Sequence, residues 1–434
     1  MKTAAPVIKT ILVCVIIAFA NPSTGLAQDM FELAPINYSK SRPDDPIQRL
    51  QKAIKNDAGK LKFDEEYGYL KSVLKELKIS PKSQLLVYSK TSLQLHRISP
   101  HTPRAIYFND DVYIGFIPGS DRLEVSSADP ELGGVFYVLQ QNDRLPPSFE
   151  RDQGNCLSCH ATSRTQGVPG HLMRSVYTSS SGQPHYGMGT HLTTHESPFE
   201  ERFGGWYATG KHGSARHLGN LIIKKPNDDI DRDQGANVTD LSDRFRTSRY
   251  LTPHSDWVAL MVLAHQAEMH NLITLANFQT RQAMYQCQVM NKALDRPKGF
   301  VSESTRNRIN RSVEKLLRYM LFVDEQKLPA SVEGTSGFQK HFESLGPFDK
   351  KGRSLRQFDL KNRTFKFRCS YLIYSDSFQR LPKMTKERVY QRLWEILSGK
   401  DQSDEYSNLS KNERHTIRQI LTDTIDDLPD YWQK

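Results

Sequence analysis

The sequence predicts an α+β fold: a small antiparallel sheet module, then a loop-rich segment, then a mainly helical C-terminal half. Three observations carry this expectation. Between Gln84 and Gln140, runs rich in β-branched and aromatic residues ("LLVYSK", "AIYFNDDVYIGFIPG", "GGVFYVLQQ") are broken by Asn-Asp, Pro-Gly and Gly-Gly. Residues 141–250 are rich in Gly, His, Ser and Thr and show little periodicity. From Ser255 onward, apolar residues return at helical spacing.

The chain opens with Lys2 and Lys9 as its only charges, an apolar run from Ile11 to Ala20, and a small-residue ending at Gly25-Leu26-Ala27. This pattern predicts a secretory signal over residues 1–27 and an exported mature protein, periplasmic or secreted. The apolar run is too short to span a bilayer, and no later segment is apolar enough to do so. Cys14 lies inside the run, which argues against a lipid anchor.

Residues 28–140 are expected to form one module. A proline-containing lead-in to residue 45 precedes Ile47, Leu50 and Ile54, then Tyr67, Leu70, Val73, Leu74 and Leu77, whose spacing predicts two helices. Strands follow, with a hairpin turning at Asn109–Asp111. Residues 141–250 read as ordered loops wrapped around a cofactor, since long structureless stretches in compact proteins are usually functional. Residues 251–434 read as helical: a long amphipathic helix with Asp256 near its start, a second over Ser302–Val323, a third over Thr385–Leu397 stopping at Gly399, and a last one opened by a capping box of Ser410 and Glu413.

The full chain has 434 residues, 59 basic and 49 acidic, for a net charge of +10. Two of those lysines lie in the leader, so the mature chain stays basic. In an exported protein this favours an acidic protein partner or an anionic envelope surface over nucleic acid. Arg306, Arg308, Arg311, Lys315 and Arg318 read as a solvated helix face. The sequence leaves the oligomeric state open.

The most informative stretch is "QGNCLSCHATS", residues 153–163. Beyond Cys14 the cysteines are Cys156, Cys159, Cys287 and Cys369. A zinc site would need further ligands at recognisable spacing, and no second C-x-x-C exists. A redox dithiol would be expected beside a βαβ pattern, which the flanking residues lack. In C-x-x-C-H, two cysteines three apart reach both vinyl groups of one porphyrin, and the adjacent histidine lies under the iron. The expectation is one covalent haem c, with Cys156 and Cys159 as thioether attachments and His160 as proximal ligand. Cys287 and Cys369 are expected either to pair or to remain as two buried thiols.

On these residues the chain resembles a c-type cytochrome. "YFNDDVYIGFIPG", "RFGGWYATGKHGSARHLGN" and "RCSYLIYSDSFQRLP" also make it similar to large exported bacterial proteins that carry a single C-x-x-C-H motif. The resemblance implies haem attachment and supplies no substrate. About 120 mature residues precede the motif and more than 270 follow it. The compact fold of small cytochromes therefore cannot describe the whole chain.

The sixth iron ligand separates a carrier from an enzyme. Six of the 14 histidines fall between Ala161 and His217: His171, His185, His191, His195, His212 and His217. His217 in "ARHLGN" is favoured, then His212 and Met188 in "YGMGT", with Met173 read as core. Trp206 and Tyr207 read either as core anchors or as porphyrin-packing rings. Arg202 and Arg216 are candidates for pairing with haem propionates. His265, Glu268 and His270 are a weaker cluster, because His265 and His270 do not share a helix face. The expected function is single-electron transfer to a protein redox partner. The alternatives are a haem enzyme with an open distal site, peroxidase-like or acting on a small molecule, and an envelope haem sensor.

Overall fold

The computed structural model describes residues 29–152, 154–226 and 229–433; the expected leader and Cys14 lie outside them. Helix α1 (Pro46–Asn56) starts where Asp45 accepts the Gln48 N–H at 2.8 Å and Pro46 takes the first position. Its stripe Ile47, Leu50 and Ile54 is buried, as is Leu70, Val73 and Leu74 of α2 (Leu70–Glu76).

Six strands follow as an antiparallel meander whose spatial order is the sequence order: β1 (Leu85–Val87), β2 (Arg104–Phe108), β3 (Val112–Phe116), β4 (Arg122–Asp129), β5 (Gly133–Gln140) and β6 (Phe149–Arg151). The β2–β3 turn falls at 109–111, as expected. One face (Leu86, Tyr107, Ile114, Phe116, Val125, Tyr137 and Leu139) forms a core with α1 and α2. Tyr137 donates its hydroxyl to the Asp45 cap at 2.7 Å, tying sheet to helix. β6 lies in a stretch read from sequence as loop, and its three residues lead directly into the motif.

The middle segment contributes α3 (Leu157–His160), a hairpin of β7 (Arg174–Val176) and β8 (Thr190–Leu192), and β9 (Gly210–Lys211). Then comes α4 (Trp257–Ala293), 37 residues long. The sequence suggests a one-sided helix. In the fold, nearly every residue of α4 up to Ala283 is buried. The reason is position: α4 packs against β5, α5 (Glu303–Met320), α6 (Phe338–Glu343), α7 (Asp376–Gln379) and α8 (Lys383–Leu397). A helix enclosed on all sides needs no polar face. The two-residue β10 (Glu333–Gly334), which pairs with β9, and α9 (Lys411–Thr424) complete the C-terminal half. Ser410 caps α9 through the Glu413 N–H. The Glu413 carboxylate turns to Arg368 instead of closing the expected box.

The expected segments interlock. Leu85, Phe108 and Tyr113 of the sheet and Met173, Phe203 and Trp206 of the loops share one apolar core with the C-terminal helices, while Tyr207, Phe245 and Tyr250 join the core under the sheet. Leu275 of α4 packs against both cores. Among the described residues, no helix is long and apolar enough to cross a membrane. Cys287 and Cys369 are both free and buried, so the two-thiol alternative describes them.

Asp256 is fully buried and accepts hydrogen bonds from Val258 and Ala259 at the head of α4 and from Thr335 and Ser336 of the segment after β10. Asp256→Ala removes a cap and orphans four amides, so it should destabilise the fold by about 2–4 kcal/mol. The urea midpoint of the variant against the parent measures this.

Candidate functional site

The turn Cys156–His160 is a single helical turn in which His160 N–H donates to Cys156 O at 2.9 Å. Cysteines three apart on such a turn share a face. Cys159 is exposed, Cys156 is half-buried, and both thiols are free. Asp152, just after β6, holds the turn from below by accepting the amides of Cys156 at 2.8 Å and Gly154 at 3.1 Å and the Asn155 side chain at 2.9 Å. Burial acts to raise the Asp152 carboxyl, but those bonds outweigh it and hold the group below its ordinary range. Burial and the Asp152 carboxylate together push the Cys156 thiol far up, so it stays protonated.

Leu157 and Ala161 anchor the turn in the sheet core, and the Phe136 ring lies 4.8 Å from the His160 ring. His160 Nδ1 lies 2.9 Å from Gly170 O. A carbonyl only accepts, so Nδ1 carries the proton and the lone pair falls on Nε2. Burial lowers the His160 pKa, which keeps the ring neutral at neutral pH. A neutral imidazole whose second nitrogen is fixed by a carbonyl is the form that binds a metal.

Glycine makes this approach possible. A Cβ on Gly133 would lie 2.5 Å from Pro169 O, and one on Gly170 would lie 2.1 Å from Asn271 Oδ1. The strand, the loop after the motif and α4 therefore meet with no room for side chains. Paired strand positions place Ile106, Gly115, Glu124 and Val138 in one row across the sheet. Ile106 and Val138 are half-buried and Gly115 adds no side chain between them. Glu124 pairs with Arg104, and both charges act on His160 and Cys156.

The expected distal ligands each have partners of their own. His217 Nδ1 accepts the Gly219 N–H at 2.9 Å, and its Nε2 faces His212 Nε2 at 3.4 Å. His212 also accepts the Asn237 N–H and donates to Ala215 O. Both rings are buried against Trp257. Met188 packs on a small cluster of Leu218, Leu221 and Ile223. His185 bonds Ile223 O, His191 pairs with Glu201, and His195 bonds His265 at 2.9 Å. Arg202 is buried over Phe199 and binds the carbonyls of His195 and Ser197, whereas Arg216 pairs with Asp233. Trp206 donates to Arg174 O and Tyr207 to Pro100 O, as core anchors do. His265, Glu268 and His270 point to three different partners: Ser370, Gln166 and Asp110.

Sequence reasoning missed Asp152, Phe136 and Gly170, which position the turn. It named His171 without ranking it. His171 is buried 4.4 Å from Tyr113, and neither ring nitrogen has a hydrogen-bond partner among the described residues. Only an Asp four residues before the first cysteine and a Gly ten after the histidine were visible as signals. Comparison with protein-family models, curated proteins and solved structures gives no match.

Burial lowers several histidines far below their ordinary 6.5: His265 to about 3, and His212 and His270 to about 4. The unfolded chain takes up these protons first. Their stabilisation is therefore complete above pH 6.5 and is lost as pH falls toward 4, by about 3 kcal/mol for His212 alone. Asp111, pushed up to about 7 by burial, opposes this over the same window. Thermal midpoints should fall steeply from pH 6.5 to 4, and more steeply in Asp111→Asn.

Proposed function

We propose that this chain is an exported monohaem c-type cytochrome that passes single electrons between protein partners. The observation that supports this best is the turn itself. Two free thiols share one face of a helical turn, and the next residue presents a neutral imidazole whose lone pair is held on Nε2 by the Gly170 carbonyl. Cys156 and Cys159 would hold the porphyrin, and His160 Nε2 would supply a nitrogen ligand to its iron. When bound, haem c supplies a one-electron couple. Gly170 fixes the imidazole plane, and Phe136 and Leu157 hold the turn. The leader pattern supports export, and the net positive charge suits docking to an acidic redox partner.

One observation favours the second reading, a haem enzyme with an open distal site or an envelope haem sensor. His212 and His217 have their ring nitrogens engaged and Met188 is packed on its own cluster, so none of the three is free to ligate without rearrangement.

The exported protein should keep its haem through denaturing electrophoresis, and Cys156→Ala/Cys159→Ala should lose it. Retention in the double variant, or no haem in the parent, sinks the proposal. A low-spin six-coordinate ferric spectrum supports the carrier. A high-spin spectrum that shifts with cyanide supports the enzyme or sensor.

A further inference from the structure

We infer that the far end of the α4–α5 hairpin is a docking tip for an anionic phospholipid surface. The inference is independent of the haem.

The last turns of α4 leave the body of the protein, and every residue from Lys292 to Phe300 is exposed. Five large apolar side chains stand in solvent there: Tyr285, Val289, Met290, Leu294 and Phe300, each 42–54% accessible. Monomeric surfaces rarely gather so many apolar side chains at one place without a use for them. The tip is nevertheless a built structure. Asn291 donates to Phe300 O at 2.7 Å, the Cys287 thiol reaches the same carbonyl at 3.5 Å, and Arg296 N–H closes on Asn291 O.

Geometry selects the partner. At about 100° per residue, Tyr285 and Val289 lie on one side of the helix and Met290 and Leu294 roughly 140° around from them. A protein groove would ask for one apolar face. Apolar groups on opposite sides of a projecting end fit a medium that surrounds the end, as the headgroup–acyl boundary does.

Charge selects the lipid. The same stretch carries Lys292, Arg296 and Lys298 against one acid, Asp295. Arg296 lies over the Phe300 ring at 5.0 Å, so an aromatic group and a cation are presented together. A groove of about 540 Å³ runs along the tip, lined by Met284, Cys287 and Phe300 and by the cations Lys292, Arg296 and Lys298 with the single acid Asp295. Apolar walls with cations suit a phosphate headgroup and the start of its chains, and Lys and Arg stems can lie along apolar surface while their heads stay wet.

The test is co-sedimentation of the full exported chain with vesicles of phosphatidylethanolamine and phosphatidylglycerol, against phosphatidylcholine vesicles, at low and high salt. The expected result is binding to the anionic vesicles that weakens with salt. Leu294→Asp/Phe300→Asp should lower the partition coefficient about tenfold or more. Lys292→Gln/Arg296→Gln/Lys298→Gln should lower it about 100-fold. All five positions are exposed, and unchanged circular dichroism of both variants excludes unfolding as the cause. Absence of binding, or binding that neither variant alters, overturns the inference. So does sedimentation velocity showing a dimer that Leu294→Asp abolishes while vesicles are ignored, since that assigns the tip to a second copy of the chain.

Discussion

A helix enclosed on every side must find a partner for each polar group it carries, because an unpaired one in the interior costs more than the bond it could have made. That constraint organises this fold, with Trp257 Nε1 and His270 Nδ1 the buried side-chain atoms of α4 left unpaired among the described residues. Along α4, Gln266 bonds Asn109 O and the hydroxyls of Tyr113 and Tyr371, His270 bonds Asp110 O, and Asn277 bonds Pro130 O. Farther along, Arg281 reaches Glu131 O and Pro35 O. His265 joins the loop residue His195 to Ser370 of the C-terminal half. Together these bonds reach the β2–β3 hairpin, the β4–β5 turn, the lead-in before α1, the middle loops and the C-terminal half. Satisfying one helix therefore fastens the sheet, the loops and the C-terminal helices together.

The candidate site inherits its geometry from this arrangement. Asn271 accepts the His171 N–H at 2.9 Å and donates to His171 O at 2.8 Å, closing both backbone groups of the residue after Gly170. Glu268 adds a bond to Gln166 in the same loop. The carbonyl of Gly170 is thus aimed from the core, and it decides which nitrogen of His160 keeps the lone pair. A surface turn acquires a defined tautomer through contacts two layers below it.

The histidine-rich middle segment shows the same logic at work. It has little regular structure, so its backbone groups cannot satisfy one another in ladders, and side chains take their place. His217 accepts from Gly219, and His212 accepts from Asn237 and donates to Ala215. His212 stacks on Trp257 and His217 meets it edge-on, while His195 and His265 stack on Tyr319. An imidazole is flat, has one donor and one acceptor, and when buried it stays neutral. Those properties serve a loop core as well as they serve a metal. Enrichment in sequence therefore does not distinguish the two uses.

The sequence by itself determined the local structure. Apolar spacing placed α1, α2, α5 and α8, Asp256 marked where α4 begins, and turn residues at 109–111 placed the β2–β3 hairpin. It also isolated Cys156, Cys159 and His160, because the C-x-x-C-H pattern is legible from adjacent residues. Each of these signals acts over a few residues. Only the tertiary structure decided which histidines are occupied, that α4 is buried on all sides up to Ala283, that β6 completes the sheet, and that Gly170 orients His160. Those outcomes rest on contacts between residues far apart in the chain, where hydrogen-bond satisfaction and close packing are settled by which segments meet.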